Sequence, residues 1–285
     1  MPDKQVEDQQ QNTNQPISNQ PGSTPQDYVQ PIVAPCRVIP YSAPFTWLKK
    51  GWADLRQVPK ISLSYGLVMM LISVLITFVA YKAHSIILAI AMTAGFFFIG
   101  PIIAIGLYSL SRQISNDVPP LFLRCLREGK KNLGNEMVLS FMFLIVFLIW
   151  ARAASMLHIF FPSTMKPEDW LMFLGVGTVV GAVFAAIIFC VGAFSIPMLM
   201  DRKVDTITAV VTSINAVLKN KLTMLIWGFV IVVLILIGVF TFFIGFIVLL
   251  PLVGHATWHA YKDTIDADAW ELGPGLGVNM KNKGK

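Results

Sequence analysis

The chain has 285 residues, of which 55% are hydrophobic and 13% charged, and its formal net charge is +6. Soluble domains are about 45–50% apolar and about 25% charged, so this composition excludes an ordinary soluble globular protein. The apolar residues form long runs of the kind that cross a bilayer, for which about 18 residues suffice. The basic residues flank these runs, which indicates membrane topology, and we expect no nucleic-acid partner.

Two polar segments bracket the apolar part of the chain. Residues 1–40 are rich in Gln, Asn, Pro and Ser and contain few large apolar side chains. Such a segment buries too little surface to offset the entropy of ordering, so we predict a disordered cytoplasmic tail. Residues 264–285, with three acidic residues followed by three lysines, are predicted to be a second, flexible cytoplasmic tail.

Six apolar runs between the tails are predicted to be transmembrane helices. They lie at about 61–82, 85–111, 136–160, 169–200, 222–241 and 243–262. The stretch 222–262 would make about 60 Å of continuous helix, twice the hydrocarbon core of a bilayer, so we divide it with a tight turn near Thr241–Gly245. The predicted fold is an all-α transmembrane domain over residues 41–263, built as three helical hairpins.

The basic residues predict an orientation for these spans. With the N-terminus inside, the inner segments hold 6, 5, 4 and 4 of the 22 Lys and Arg residues, in chain order. Lys82, Arg152 and Lys166 are left for the outer side. An excess of Lys and Arg is typical of cytoplasmic loops, so both termini are expected in the cytoplasm.

A short amphipathic segment precedes each predicted hairpin. These segments are Phe45–Gln57, Val118–Lys131 and Asp205–Leu218, and the sequences at 51–66, 126–141 and 213–228 align without gaps. Asp117 and Asp205 stand where a helix N-cap is wanted. We predict three repeated units, each with an amphipathic helix at the cytoplasmic membrane face. Whether these helices sense lipid or only pack on the bundle is left open by the pattern.

Two stretches of the chain resemble a known family. They are WLKKGWADLRQVPKISLSYGL (47–67) and PLVGHATWHAYKD (251–263), and WLKKGWADL and GHATWH carry the likeness. The chain resembles, over roughly residues 40–265, an uncharacterised bacterial membrane family catalogued as domain of unknown function 2189. The resemblance implies a multi-pass protein of the bacterial inner (plasma) membrane and supplies no activity or ligand.

The sharpest polar signal inside a predicted span is the pair His255 and His259. They are four residues apart, so they share a helix face and could offer imidazole ligands to a metal or a haem. Ionisable residues within a span are functional candidates by default. The alternative is that both are neutral and hydrogen-bonded to neighbouring helices. The pattern shows no further ligands beside them.

Other residues are assigned to the membrane interface and to helix packing. Trp47, Trp52, Arg152 and Trp258 are predicted to lie at the interface, where aromatic rings and long cationic side chains meet the headgroups. Gly177 and Gly181 form a small-xxx-small face suited to close helix packing. Pro101 and Pro251 fall inside predicted spans and are expected to bend them.

The sequence favours a protein without catalytic activity. It lacks the GxxxxGK[ST], HExxH and GxSxG motifs, and carboxylates are scarce within the predicted spans. Our leading hypothesis is a non-enzymatic protein of membrane organisation or membrane-complex assembly, whose partners are the bilayer and other membrane proteins and which needs no cofactor. The alternatives are a haem- or metal-binding redox or assembly factor using His255 and His259, and a transporter of a small neutral or lipidic substrate.

Overall fold

The computed structural model describes residues 31–84, 103–121, 125, 133–160 and 167–273. These parts of the chain are helical, with two isolated β-bridges and no strand among them. The helices are α1 Ala43–Gln57, α2 Pro59–Ala83, α3 at residues 103–115, α4 Leu133–Phe160, α5 Pro167–Gly192, α6 Ser195–Asp201, α7 Thr206–Lys219, α8 Lys221–Phe240 and α9 Phe246–Thr264. The all-α prediction is therefore confirmed for the described residues.

Four stretches of described helix are long and apolar enough to cross a membrane. They are Pro59–Ala83, Gly134–Met156, Leu171–Asp201 and Lys221–Phe240, and they match the first, third, fourth and fifth predicted spans. Most of the second predicted span lies outside the described residues. The sixth corresponds to α9, whose polar second half leaves it outside this set of candidates. The six-span count therefore stays a prediction.

The amphipathic segments are found in two of the three predicted places. Helices α1 and α7 cover the first and third segments. Asp205 caps α7 as expected, because its carboxylate accepts a hydrogen bond of 3.0 Å from the backbone N–H of Thr208. Most of the second segment lies outside the described residues, and residues 118–121 are not helical. The threefold repeat accordingly remains a prediction.

Helix α9 is the centre of the packing. It lies against α1 along much of its length and also contacts α2, α6 and α8. Two glycines on the facing helices allow this close approach: a Cβ at Gly51 would lie 2.7 Å from the backbone nitrogen of Ala256, and one at Gly66 would overlap the backbone carbonyl of Ile247. The chain turns back between α8 and α9 at residues 241–245, where the helix break was predicted.

Segments on both sides of the helical domain pack against it. Residues 34–39 run beside α7 and the start of α8, where the backbone N–H of Ala34 donates to Thr212 Oγ1 at 3.0 Å and that of Ile39 donates to Asn220 Oδ1 at 2.8 Å. Beyond α9, Ile265 pairs with Cys36 in one β-bridge. Both segments were assigned to tails from composition, and each is held by backbone hydrogen bonds and buried side chains. The remainder of each predicted tail, residues 1–30 and 274–285, lies outside the described residues.

The packed end formed by α1, α6, α7, the second half of α9 and these two segments is called the polar end below. It buries several aromatic rings, among them Trp47, whose ring meets that of Trp227 edge-on at 5.7 Å. It also contains most of the buried charged side chains described next.

Candidate functional site

The imidazole of His255 is fully buried and hydrogen-bonded through both ring nitrogens. Nδ1 lies 2.7 Å from Ser111 Oγ on α3, and Nε2 lies 2.9 Å from Ser62 Oγ on α2. The single hydroxyl proton of Ser111 goes to Asp54 Oδ2 at 2.6 Å. Ser111 must therefore accept from His255, so Nδ1 carries the proton and Nε2 accepts from Ser62.

The second predicted histidine joins the same group. His259 Nε2 lies 2.9 Å from Asp54 Oδ2, and an ionised carboxylate can only accept, so this nitrogen donates. The five residues Asp54, Ser62, Ser111, His255 and His259, called the His255 network, thus connect α1, α2, α3 and α9. The expectation that the two histidines share a helix face and hydrogen-bond to neighbouring helices fits this geometry.

A second buried cluster surrounds Asp201, at the end of α6. Its carboxylate lies 3.1 Å from Arg112 Nε, 3.3 Å from Arg202 Nε and 3.5 Å from Lys262 Nζ. The Arg112 contact is close enough for an ion pair but is not aligned for a hydrogen bond. Tyr261 donates its hydroxyl to the same carboxylate at 3.0 Å. We call Arg112, Asp201, Arg202, Tyr261 and Lys262 the Asp201 cluster.

The Asp201 cluster is tied to the backbone and to one further carboxylate. Arg112 donates to the carbonyl oxygens of Met200 at 3.2 Å and Gly273 at 3.3 Å, and Arg202 also pairs with Asp268 at 2.7 Å. Burial lowers the pKa of Arg202, but Asp201, Tyr261 and Asp268 together outweigh the burial and raise that pKa overall. A buried ion pair with several further hydrogen bonds is costly to break, so this cluster fixes α3, α6 and the chain beyond α9 together.

The chemistry available to the His255 network is limited by its burial. The order Ser62–His255–Ser111–Asp54 resembles the hydrogen-bond relay that activates a serine nucleophile. Ser62 and His255 are both 0% exposed, however, so neither the hydroxyl nor the imidazole is open to solvent in this structure. The arrangement orients side chains and joins helices.

The described residues form no cluster suited to a metal ion. No group of three or more His, Cys, Asp or Glu side chains is placed to hold one within the described ranges. Both nitrogens of His255 already have serine partners, and a metal would have to displace one of them. Among the cysteines, Cys36 and Cys125 are buried and Cys190 is half-buried.

The four predicted interface residues fall into two kinds of environment. Trp47 and Trp258 are buried inside the protein, where their indole N–H groups donate to Asp263 and Ser115. Trp52 and Arg152 are exposed. Arg56 stacks over the Trp52 ring at 5.2 Å, as cations commonly do on an indole face.

The residues predicted to pack helices also differ in their surroundings. Gly177 and Gly181 lie on α5 with nothing within 4 Å of a Cβ placed on either. Pro251 is buried within α9, and Pro101 lies outside the described residues.

Several members of these clusters were not predicted from the sequence. Asp54 follows Trp47 by seven positions and Gly51 by three, so it lies on the buried face of α1, and a carboxylate on that face is a signal that could have identified it. Arg112 and Asp201 were assigned to connections between spans, and nothing in their local sequence predicts that they pair. Glu136, in the first turn of α4, is 1% exposed, and neither carboxylate oxygen has a hydrogen-bond partner in the described part of the chain.

Comparison with known families confirms the resemblance inferred from the sequence. The family described as "Predicted integral membrane protein (DUF2189)" matches residues 87–201. The matched stretch lies within the predicted extent of 40–265 but contains neither motif on which the likeness was first based. It includes Ser111, Arg112 and Asp201. No curated protein and no solved structure matches the chain.

Proposed function

We propose that this integral membrane protein is a non-enzymatic scaffold of the bacterial inner membrane that holds other membrane proteins together. Its polar end is a rigid platform, and the outward faces of its spans are docking surfaces within the bilayer. The observation that carries the proposal is the low burial of the spans. The proposal makes the leading hypothesis from the sequence, a role in membrane-complex assembly, more specific.

The described part of the chain covers little of each candidate span. Within the most apolar window of each candidate span, 6% of α2, 22% of α4, 11% of the α5–α6 stretch and 22% of α8 is buried. Large side chains such as Phe78 and Val179 are 56% and 65% exposed. Lipid covers such faces, and so do helices of other membrane proteins, which associate by close packing. An open face around Gly177 and Gly181 is suited to the second kind of contact.

Two observations support cytoplasmic placement of the polar end. The segments before α1 and after α9 lie together, linked by the Arg37–Asp266 ion pair of 3.1 Å and the bridge between Cys36 and Ile265. The chain therefore enters and leaves its helical domain on one side, as an even number of crossings requires. Basic residues are concentrated in the inner segments of the predicted topology, which is typical of the cytoplasmic side.

The His255 network supports a structural role for its histidines. Its serines and imidazole are closed off from solvent, and each hydrogen-bonding atom of His255 is paired within the protein. We expect His255→Ala to lower the free energy of unfolding by about 1–3 kcal/mol, because it leaves Ser62 and Ser111 with unmet hydrogen bonds. Thermal unfolding in detergent measures this loss. An absorption spectrum and elemental analysis of the same samples test the structural role further. A stoichiometric haem or metal that is present in the unaltered chain and lost in the variant would contradict it.

The scaffold role is tested by site-specific photo-crosslinking in intact membranes. A photoreactive phenylalanine analogue replaces Phe78 on α2 or Val179 on α5, and Phe45, which is 62% exposed on α1, serves as the matched control. We expect one or more discrete, saturable protein adducts from a span position and none of the same mass from position 45.

Two results would contradict the scaffold. Adducts with lipid alone at both span positions would show that the faces are covered only by the bilayer. A catalytic turnover abolished by a substitution in the His255 network, with folding intact, would show that the protein is an enzyme.

A further inference from the structure

An apolar groove of about 740 Å³ lies between α5 and α8 and ends at the last turn of α7. Ala185, Ala186 and Phe189 form its α5 wall, and residues of α8 form the other. Leu225 and Phe229 on the α8 wall are 69% and 68% exposed. Because the groove lies between two candidate spans, its open side faces the hydrocarbon of the bilayer.

Small residues create this groove. Ala185 and Ala186 are exposed on α5, and Gly228 stands opposite on α8. A Cβ at Gly228 would lie 3.8 Å from the Phe189 ring, an ordinary contact distance, so the helices approach each other there across the aromatic side chain. Ala185 and Ala186 both precede Phe189 on α5, and their short side chains leave space beside that contact that the described residues do not fill.

Among the described residues that line the groove, the only charged side chain is Lys221, at the end where α8 begins. Lys221 is exposed, and no carboxylate within the described ranges pairs with it. Its neighbour Lys219, by contrast, donates to the carbonyl oxygen of Cys36. Lys221 is the first residue of a candidate span, so it lies at the level of the phospholipid phosphates and presents an uncompensated positive charge there.

The length of the groove matches one leaflet. From Lys221 to Val232, which also lines the groove, eleven helical steps cover about 16 Å. Half of the hydrocarbon core of a bilayer is about 15 Å. The volume falls within the range of about 300–1,000 Å³ that ligand sites occupy. A single acyl chain therefore fits the groove when its headgroup lies beside Lys221.

We propose that this groove binds one anionic glycerophospholipid of the surrounding leaflet, with an acyl chain between α5 and α8 and its phosphate paired with Lys221. The headgroup preference arises from the lysine, and the affinity for a chain arises from the apolar walls. This site goes beyond the scaffold role, because lipid binding here requires no protein partner.

The test is native mass spectrometry of the full chain titrated with phosphatidylglycerol or phosphatidylcholine. Lys221→Gln removes the charge at the groove. Lys60→Gln is the matched control, since Lys60 is also an exposed lysine at the start of a candidate span, α2. Ala186→Leu fills the groove from an exposed position and leaves the packed regions unchanged.

We expect the first phosphatidylglycerol to bind the unaltered chain about fivefold more tightly than phosphatidylcholine, the preference that one lysine near a surface provides. Lys221→Gln abolishes this preference, Lys60→Gln retains it, and Ala186→Leu weakens the first binding event for both lipids. Equal losses in the two lysine variants would overturn the site, because they would reflect general attraction to the interface. Unchanged lipid binding by Ala186→Leu would also overturn the site. A dimer joined through Cys190, observed in place of a lipid-bound monomer, would overturn it too.

Discussion

The polar end and the spans of this protein are built by different forces. At the polar end, fully buried tryptophans surround charged side chains whose partners come from distant parts of the chain. The spans are uniformly apolar and only 6–22% buried in their most apolar windows. Water drives the packing of the first region through the hydrophobic effect. In the second, lipid is as apolar as the side chains, so burial within the chain gains little.

The two regions also differ in how strongly they fix the arrangement of the helices. Polar atoms at the packed end must find partners, and each partner fixes one helix against another. The spans carry few such atoms, so their mutual positions depend on the helices to which the polar end joins them. Substitutions at the two regions should consequently differ in size, and some of them in sign.

The largest effect is expected from Asp201→Asn. It removes the carboxylate charge between Arg112 and Arg202, and an uncompensated buried charge costs about 3–5 kcal/mol. Chemical unfolding in detergent measures the loss. Glu271→Gln is the control, because its ion pair with Lys203 is exposed on both sides, and it should change stability by less than about 1 kcal/mol. Similar effects of the two variants would show that the Asp201 cluster does not hold the polar end.

Gly66→Ala comes next in size. The added methyl group overlaps the backbone of Ile247 on α9, and forced overpacking costs about 1–3 kcal/mol. Gly177→Ala makes the same change on a face with nothing within 4 Å and should be neutral or stabilising, by up to about 1 kcal/mol from helix propensity. The pair is compared by thermal unfolding in one detergent. Equal destabilisation would contradict the placement of α9 against α2.

A smaller effect, with a pH dependence, is expected at the N-cap of α7. Burial by itself would raise the pKa of Asp205, but hydrogen bonds from the Thr208 side chain and nearby backbone N–H groups lower it overall. The cap therefore stabilises the protein above the unfolded pKa of about 3.9 and is lost as the pH falls through the lower folded value.

Asp205→Ala should then cost about 1 kcal/mol at neutral pH, with the difference from the unaltered chain shrinking below about pH 4. Asp205→Asn preserves a capping oxygen and should cost less. Unfolding midpoints measured across pH check this. A constant difference at every pH would argue that the carboxylate charge contributes nothing.

The smallest change, and the one of opposite sign, is Glu136→Gln. This carboxyl group is buried without a hydrogen-bond partner in the described part of the chain, so replacing it with a neutral amide removes a desolvated acid and breaks no ion pair. We expect unfolding midpoints equal to or slightly above those of the unaltered chain. The same acid-to-amide change thus has opposite consequences at Asp201 and Glu136, and a large loss at Glu136 would reveal a partner for it.

The sequence predicts the elements governed by local rules. Long apolar runs identified α2, α4, α5 and α8, and amphipathic spacing identified α1 and α7. The N-cap at Asp205 was also correct. Asp117, assigned the same role, instead follows α3 in a left-handed turn with φ of 53°, where its N–H bonds the carbonyl of Ile114. Aspartate suits a helix N-cap and also tolerates the left-handed turn that ends a helix, so the residue type alone does not separate the two positions.

The candidate site depends on contacts that no local pattern contains. The spacing of His255 and His259 correctly placed them on one helix face. Their partners Ser62 and Asp54 are about two hundred residues away in sequence, and spacing carries no information on such pairs. Trp47 and Trp258 follow the usual interface signature, yet packing against α8 and α3 buries them.

The claim that the polar end is one cooperative unit is tested most directly by hydrogen–deuterium exchange in lipid nanodiscs. Peptides covering residues 34–57, 200–219 and 255–273 should all be protected, and Asp201→Asn should raise their exchange together while peptides within α8 change little. Rapid exchange of residues 34–40 and 265–273 in the unaltered chain would contradict the claim. It would show that these segments are loose tails, as composition alone suggests.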